Sequence, residues 1–398
     1  MTRRPLRVLI AADTYPPDVN GAAVFGYRLA KHMTARGHEV HIAAARPGPG
    51  PDTVEYRDEA TIHRFRSFKA PTHEYFRLCL PWTVEPAMHR LVQELKPDVV
   101  HVQCHYMIGK AAILAAEACR VRLVATNHFM PENLDPFLPF PQWFKRIVST
   151  NSWRDMSRLM GKASVVTTPT PLAAETMRAK GGFERVLPLS NGIDVDYYAP
   201  RPGESIPSRE VPTVLFVGRL AVEKNVDVLI DAVARTDPDL GITAEIVGDG
   251  EQRDRLREQI AELGVQDRVV MRGHIDDAEL RRAYIAADVF CQPGTAELQS
   301  LVSLEAMSAG KPVILANALA LPHLVSEGEN GYLFEPYDAD DLAEKLTRIF
   351  AKDPVERVAM GAVSRQRANQ HAIDKTMSTY EELYYGADWA ETGQFFRS

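Results

Sequence analysis

Short runs of β-branched and aliphatic residues alternate with longer amphipathic stretches along this chain, which is the rhythm of parallel β–α–β units. In the first half, Arg7–Ala11, Glu39–Ala43, Val99–Val102, Arg122–Ala125, Val165–Thr168 and Val186–Leu189 read as strands. Helices fill the intervals. Val24–Arg36 carries apolar or small residues at helical spacing and stops at Gly37, a glycine C-terminal signal. From Pro200 to Pro212 the periodicity disappears and Pro, Gly, Ser and charge dominate, as in a linker. The rhythm resumes with strands expected at Val214–Val217, Ala244–Val247, Val269–Met271, Val289–Gln292 and Val313–Ala316, and helices at Val226–Arg235 and Gln252–Leu263. The pattern predicts two doubly wound α/β domains, residues 1–200 and 201–375, followed by a last helix at Met377–Tyr385. Open α/β sheets bind ligands beyond the carboxyl ends of their strands, so two such domains facing each other would share a cleft.

The composition, 45% hydrophobic and 25% charged, is that of an ordinary globular chain. Runs such as Ala111–Ala116 and Val313–Ala316 fall far short of the roughly 20 apolar residues that cross a bilayer. The arginines before Leu9 precede an apolar stretch that Asp13 ends too soon for a secretory leader, so it reads as a first strand. Cys79, Cys104, Cys119 and Cys291 are too widely spaced for a zinc site or disulfide framework, and a cytoplasmic protein is expected. A net charge of −7 argues against nucleic acid as a partner. The charge is uneven: residues 1–200 carry 25 Lys and Arg against 19 Asp and Glu, about +6, and the remainder 21 against 34, about −13. The first half could therefore face an anionic surface.

Two segments carry candidate chemistry. In Phe216-Val-Gly-Arg-Leu-Ala-Val-Glu-Lys-Asn225 a strand ends at a glycine, and Arg219 and Lys224 follow before the next helix. A guanidinium clamps phosphate oxygens through two donors and an ammonium adds a compact charge, so the pair suits a diphosphate, although a solvated basic loop would look alike. The second segment follows the strand ending at Gln292 and places Glu297 and Glu305 eight positions apart. If a helix starts near Ser300, Glu297 lies in the loop before it and Glu305 faces the cleft from within it. Ser300 is then the N-cap, and the backbone donors of Leu301 and Val302 point at a bound anion. Each carboxylate can accept from neighbouring hydroxyls of a sugar or ribose.

Taken together, Val-Gly-Arg-x-x-x-x-Lys and Glu-x7-Glu before Ala-Met-x-x-Gly-x-Pro-Val resemble the retaining GT-B glycosyltransferases of family 4, also called group 1. Further matching segments are Tyr15-Pro-Pro-Asp-Val-Asn-Gly21, Leu29–Val40, Lys96–Val102, Asn191-Gly-Ile-Asp194 and Gly328–Phe334. The resemblance implies two Rossmann-like domains facing across a cleft: an acceptor domain, a nucleotide-sugar domain, and residues 376–398 returning to the first. It implies that Arg219 and Lys224 bind the donor diphosphate, Glu305 the ribose and Glu297 the transferred sugar. Gly21, in the loop after the first strand, would admit backbone to the phosphates. The family usually has paired glycines there, and this chain has Asn20-Gly21-Ala22. His128, in Thr126-Asn-His-Phe-Met, stands where relatives carry a histidine directed at the donor sugar; His101 and His105 are weaker candidates.

The implied reaction moves a hexose from a UDP- or GDP-linked donor to an acceptor hydroxyl, with no cofactor and no metal; the two Asp-x-Asp sequences, Asp194–Asp196 and Asp237–Asp239, fall outside the donor motifs. Domain closure would hinge about Pro200–Pro212 and the returning helix. Phe137, Phe140, Trp143 and Phe144 beside Lys145 and Arg146, within Asn133–Val148, suit a peripheral membrane contact and a lipid acceptor. A soluble acceptor is the alternative. A nicotinamide dehydrogenase is disfavoured because the first strand leads into Asp13-Thr-Tyr-Pro-Pro rather than a Gly-x-Gly-x-x-Gly turn. A sugar-nucleotide epimerase or hydrolase of related fold remains a rival, as does a noncatalytic sugar-nucleotide binder. Base, sugar, acceptor and oligomeric state stay open.

Overall fold

The computed structural model describes residues 3–18, 20–69, 77–131, 141–201, 203–204 and 211–387. The chain divides into two compact units, one of residues 1–190 rejoined from Thr376 onward, the other Asn191–Lys375. The division falls at Ser190 rather than at 200. Asn191–Ala199 belongs to the second unit because Ile193 exchanges backbone hydrogen bonds with His371 (2.9 Å) and Ile373 (2.8 Å). Arg281, with Nε on the Tyr197 carbonyl (2.6 Å) and Nη2 on that of Ala199 (2.9 Å), fastens the stretch that follows. Residues 202 and 205–210 of the expected linker lie outside the described residues.

In the first unit the elements run β1 (Arg7–Ala12), α1 (Gly21–Ala35), β2 (Glu39–Ala45), β3 (Thr53–Tyr56), β4 (Thr61–Phe65), β5 (Phe68–Lys69), β6 (Arg77–Leu78), α2 (Pro81–Leu95), β7 (Val99–Val102), α3 (Met107–Cys119), β8 (Arg122–Thr126), α4 (Gln142–Met160), β9 (Val165–Thr168), α5 (Pro171–Gly181) and β10 (Val186–Pro188). The main sheet has the order β10-β9-β8-β7-β1-β2-β4-β3. Its neighbours are parallel except the edge pair β3/β4. The central strands β1, β2 and β7 are buried along nearly their whole length, which is why they read as largely aliphatic runs, interrupted by His41 and His101. The strand order reverses between β1 and β7, which makes that point the crevice of this sheet.

The edge was not legible in the same way. β3 alternates half-buried and exposed positions, and β4 carries Arg64, 1% exposed. That guanidinium is satisfied by Glu55 (3.1 Å) and by the carbonyls of Ala45 (3.2 Å) and Pro16, so it braces the loop after β1 from beneath.

The second unit runs α6 (Val195–Tyr198), β11 (Thr213–Val217), α7 (Val226–Arg235), β12 (Thr243–Val247), α8 (Arg253–Glu262), β13 (Val269–Gly273), α9 (Asp277–Ala286), β14 (Val289–Gln292), α10 (Leu301–Ser308), β15 (Val313–Ala316), β16 (Gly331–Phe334), α11 (Ala339–Phe350) and α12 (Pro354–Ala368); α13 (Ile373–Tyr385) then leads back to the first. Its sheet is parallel throughout, ordered β13-β12-β11-β14-β15-β16, with the reversal between β11 and β14.

α13 is anchored in the first unit by polar contacts that are wholly buried. The Tyr384 hydroxyl meets His101 Nδ1 (2.5 Å), His101 Nε2 meets the Thr126 hydroxyl (2.7 Å), and the Tyr380 hydroxyl meets Thr126 (3.1 Å) and Thr167 (3.0 Å). His101 is thereby committed to holding this helix.

Candidate functional site

The loops that leave β11 and β14 flank the reversal of the second sheet, and they contain the charged residues singled out by the sequence. The first is seated against the loop after β12. Gly248, with φ of 138°, lies where an added Cβ would be 1.8 Å from the Gly218 carbonyl oxygen. Leu220 N donates to Asp249 O (3.0 Å) and Gln252 N to Leu220 O (2.9 Å), which fixes the backbone on either side of Arg219.

The loop after β11 is also joined to the loop after β14. Asn225 Nδ2 donates to Pro293 O (3.2 Å) and Thr295 Oγ1 (3.3 Å), and Thr295 N donates to Glu223 O (3.2 Å). The joining brings Lys224 Nζ onto Glu297 Oε1 as a close ion pair, with the side chains 22% and 12% exposed. Arg219 is held differently, by Glu223 (2.6 Å) and Glu251 (3.4 Å). The two expected cations are therefore present at the strand ends, each already matched to a carboxylate. Glu223 and Glu251 were missed because acids beside basic residues look like ordinary loop polarity.

Ser300 caps α10, its Oγ accepting from Ser303 N (3.4 Å). Leu301 and Val302 occupy the first turn, where backbone amides have no acceptor within the helix. Glu305 departs from the expectation of an open face: it is 6% exposed, and its Oε2 accepts from the Tyr284 hydroxyl of α9 at 3.0 Å. The reason is that α10 is buried from Ser303 to Ser308, so a carboxylate one turn in needs a partner. Burial and the neighbouring Glu305 push the Tyr284 phenol well up. Tyr284 carried no sequence signal, since it sits at an interior position of an amphipathic helix.

In the first unit, Gly21 is the first residue of α1 rather than a loop residue. Asn20 caps this helix, its Oδ1 accepting from Ala23 N (2.9 Å), and an added Cβ at Gly21 would meet nothing within 4 Å. His128 follows β8 with its ring 4.7 Å from Phe25. Burial lowers its pKa to about 4, so it is neutral at pH 7, and its Nε2 is buried without a hydrogen-bond partner among the described residues. His105, 2% exposed, is also held low, to about 4, by burial. Asp13, at the end of β1, is raised to about 6 by burial although it accepts from the amides of Ile108 (2.9 Å) and Gly109 (3.5 Å).

Of the aromatic-basic segment, Phe137 and Phe140 lie outside the described residues. Trp143 and Ile147 lie one turn apart on α4, 65% and 49% exposed. No helix among the described residues is long and apolar enough to cross a membrane.

Residues 19–197 match the family described as Glycosyltransferase Family 4, and residues 204–367 the family described as Glycosyl transferases group 1. A GDP-mannose-dependent alpha-mannosyltransferase of Mycolicibacterium smegmatis is 30% identical over 336 residues, 83% of this chain and 84% of that one. Among solved structures, sucrose-phosphate synthase from Thermosynechococcus elongatus superposes with a TM-score of 0.76 at 22% identity, covering 96% of this chain and 98% of that one. Anabaena HepE in complex with UDP-glucose gives 0.74 at 21% identity, over 96% and 100%.

Proposed function

The chain belongs to the group 1 glycosyltransferases and has their GT-B fold, and on that premise we propose that it is a retaining hexosyltransferase, moving a hexose from a UDP- or GDP-linked donor to an acceptor hydroxyl without a divalent metal. The observation that supports this reading is the joining of Lys224 to Glu297 across the β11/β14 reversal, a cation beside a carboxylate, the pair of charges that a diphosphate and a sugar hydroxyl would use.

Arg219, Lys224 and the amides of Leu301 and Val302 take up the charge that grows on the diphosphate as its bond to the anomeric carbon breaks. Glu297 holds hydroxyls of the transferred sugar. Glu305, steadied by Tyr284, holds the ribose. The acceptor oxygen bonds to the anomeric carbon on the face the diphosphate leaves, and its proton passes to a departing phosphate oxygen. His128, neutral at pH 7, offers a hydrogen bond to a sugar hydroxyl rather than a charge. The GDP-mannose named for the mycobacterial relative and the UDP-glucose bound to HepE support a nucleotide-hexose donor, with UDP or GDP as base carrier.

The test is a panel of UDP- and GDP-hexoses incubated with lipid extract or small sugars. An acceptor-dependent product with the donor's anomeric configuration is expected, at a rate unchanged by chelator. Free sugar or an epimer formed without acceptor would favour the epimerase or hydrolase, and chelator inhibition reversed by magnesium would remove the metal-free route. The exposed Trp143 and Ile147 near Lys145 and Arg146 favour a lipid acceptor. On that reading the protein floats with anionic vesicles and Trp143→Ala weakens the association.

A further inference from the structure

The first unit contains buried polar atoms that its fold leaves unmatched. Among the described residues, Gln103, 3% exposed, has no hydrogen-bond partner at Nε2 or Oε1; Asn127 is fully buried with its Oδ1 unmatched, and His128 adds Nε2. These groups are neighbours. Val102 of β7 pairs with Ala125 of β8, so Gln103 and Asn127–His128 leave adjacent strands on the carboxyl side, next to the β1/β7 reversal. One turn of α1 covers both: Phe25 lies against the His128 ring, and an added Cβ at the next residue, Gly26, would stand 2.8 Å from Gln103 Nε2 and 3.0 Å from its Oε1.

A buried amide with both donor and acceptor unmade is costly, and native structures retain few such groups without a ligand or ordered water to match them. The set offers donors and acceptors but no charge. Among the described residues, no Lys or Arg is in hydrogen-bond or ring contact with Gln103, Asn127 or His128. The nearby Asp13 carboxylate is occupied by the amides that open α3.

We propose that Gln103 and Asn127 form a binding crevice for neighbouring hydroxyls of an uncharged polyol, the hydroxyl-rich end of the acceptor, beside the His128 that the transferase reading gives to the donor sugar. The role of that ligand rests on the transferase reading; the crevice and its preference for neutral hydroxyls do not. An amide presents a donor and an acceptor side by side, the pattern that two adjacent hydroxyls complement. A phosphorylated ring would bring charge into a crevice with nothing to neutralise it.

The experiment measures binding to the full chain by saturation-transfer NMR and calorimetry. The probes are myo-inositol, methyl α-mannoside, myo-inositol 1-phosphate, and phosphatidylcholine vesicles with or without a monoglucosyl diacylglycerol. At least one neutral probe is expected to bind, and about tenfold or more tighter than the phosphate. The soluble and vesicle arms identify whether the polyol is free or a lipid headgroup. Gln103→Leu should weaken this binding about tenfold while leaving UDP and GDP affinity unchanged and the melting temperature no lower, because it deletes unmatched polar atoms. Gly26→Ala, which crowds the intact amide, should give the same loss. A Gln103→Leu protein that binds as tightly as wild type, a preference for the phosphate, or no binding of any neutral probe up to about 100 mM would overturn the proposal, leaving internal water as the occupant. If UDP and GDP fail to bind while a polyol does, the transferase reading falls and the crevice stands; if they bind and the polyols do not, only the crevice falls.

Discussion

At the scale of single residues, the site is a set of matched charges that a donor has to enter. The Arg219–Glu223 pair is 40% and 26% exposed, and such pairs contribute only about 0–1 kcal/mol, so on the proposed reading a diphosphate accepting two hydrogen bonds from Arg219 would displace Glu223. Lys224–Glu297 is more enclosed. Glu297→Ala should lower kcat on the order of 100–1,000-fold with nucleoside diphosphate affinity largely retained, read by initial rates and calorimetry. Wild-type turnover would remove Glu297 from the chemistry. Tyr284→Phe removes one donor from a buried carboxylate and should cost about 1–3 kcal/mol in urea unfolding, with weaker nucleotide binding. Glu297 and Glu305 could be named as candidates from the chain alone because their spacing and the motif around them are written in it. Tyr284 was not: its partner lies 21 positions away, and its spacing is that of a core residue.

Elements place these residues, and here the sequence served unevenly. α10 starts where Ser300 promised, because the capping hydroxyl and the first turn are local. α1 begins at Gly21, ahead of the expected Val24, because the Asn20 cap sets the start before the first apolar residue does. The loop after β11 depends on a non-local feature, the close approach of Gly218 and Gly248. Gly248→Ala would put a Cβ into the Gly218 carbonyl at a backbone angle that L-residues rarely adopt. We expect the melting temperature of the second unit to fall and nucleoside diphosphate binding to be lost; a variant with wild-type affinity would show that the loop tolerates movement there. β3 and β16, at sheet edges, and β4, beside the edge, escaped the strand reading because they are short or half-polar and answer to a partner rather than to an internal period.

At the scale of the whole molecule, both units bury histidines that stay neutral: His101 is lowered to about 3, and His105, His128 and His371 to about 4, chiefly by burial. In the unfolded chain these rings titrate near 6.5. Their contribution is fully present above about pH 6.5 and is lost as pH falls towards about 4, because the unfolded state takes up protons that the native state refuses. For a fully buried imidazole the slope is at most about 1.4 kcal/mol per pH unit. Asp13, raised to about 6, opposes this, since it binds its proton more readily when folded. Because the histidines outnumber it, the melting temperature should drop from pH 7 to pH 5 in a thermal scan, and a flat profile would contradict their neutrality. The sequence by itself determined the parallel α/β rhythm, the central strands, and the charged types that gather where two strands end. These are properties of local period and composition, in which each residue answers to near neighbours along the chain. Tertiary structure alone decided that Ser190 closes the first stretch of one unit, that Arg219 and Lys224 each meet a carboxylate, that Glu305 is buried against Tyr284, and that Gln103 is enclosed with no partner among the described residues. Those outcomes follow from which strands become neighbours, and pairing between distant segments has no period to read.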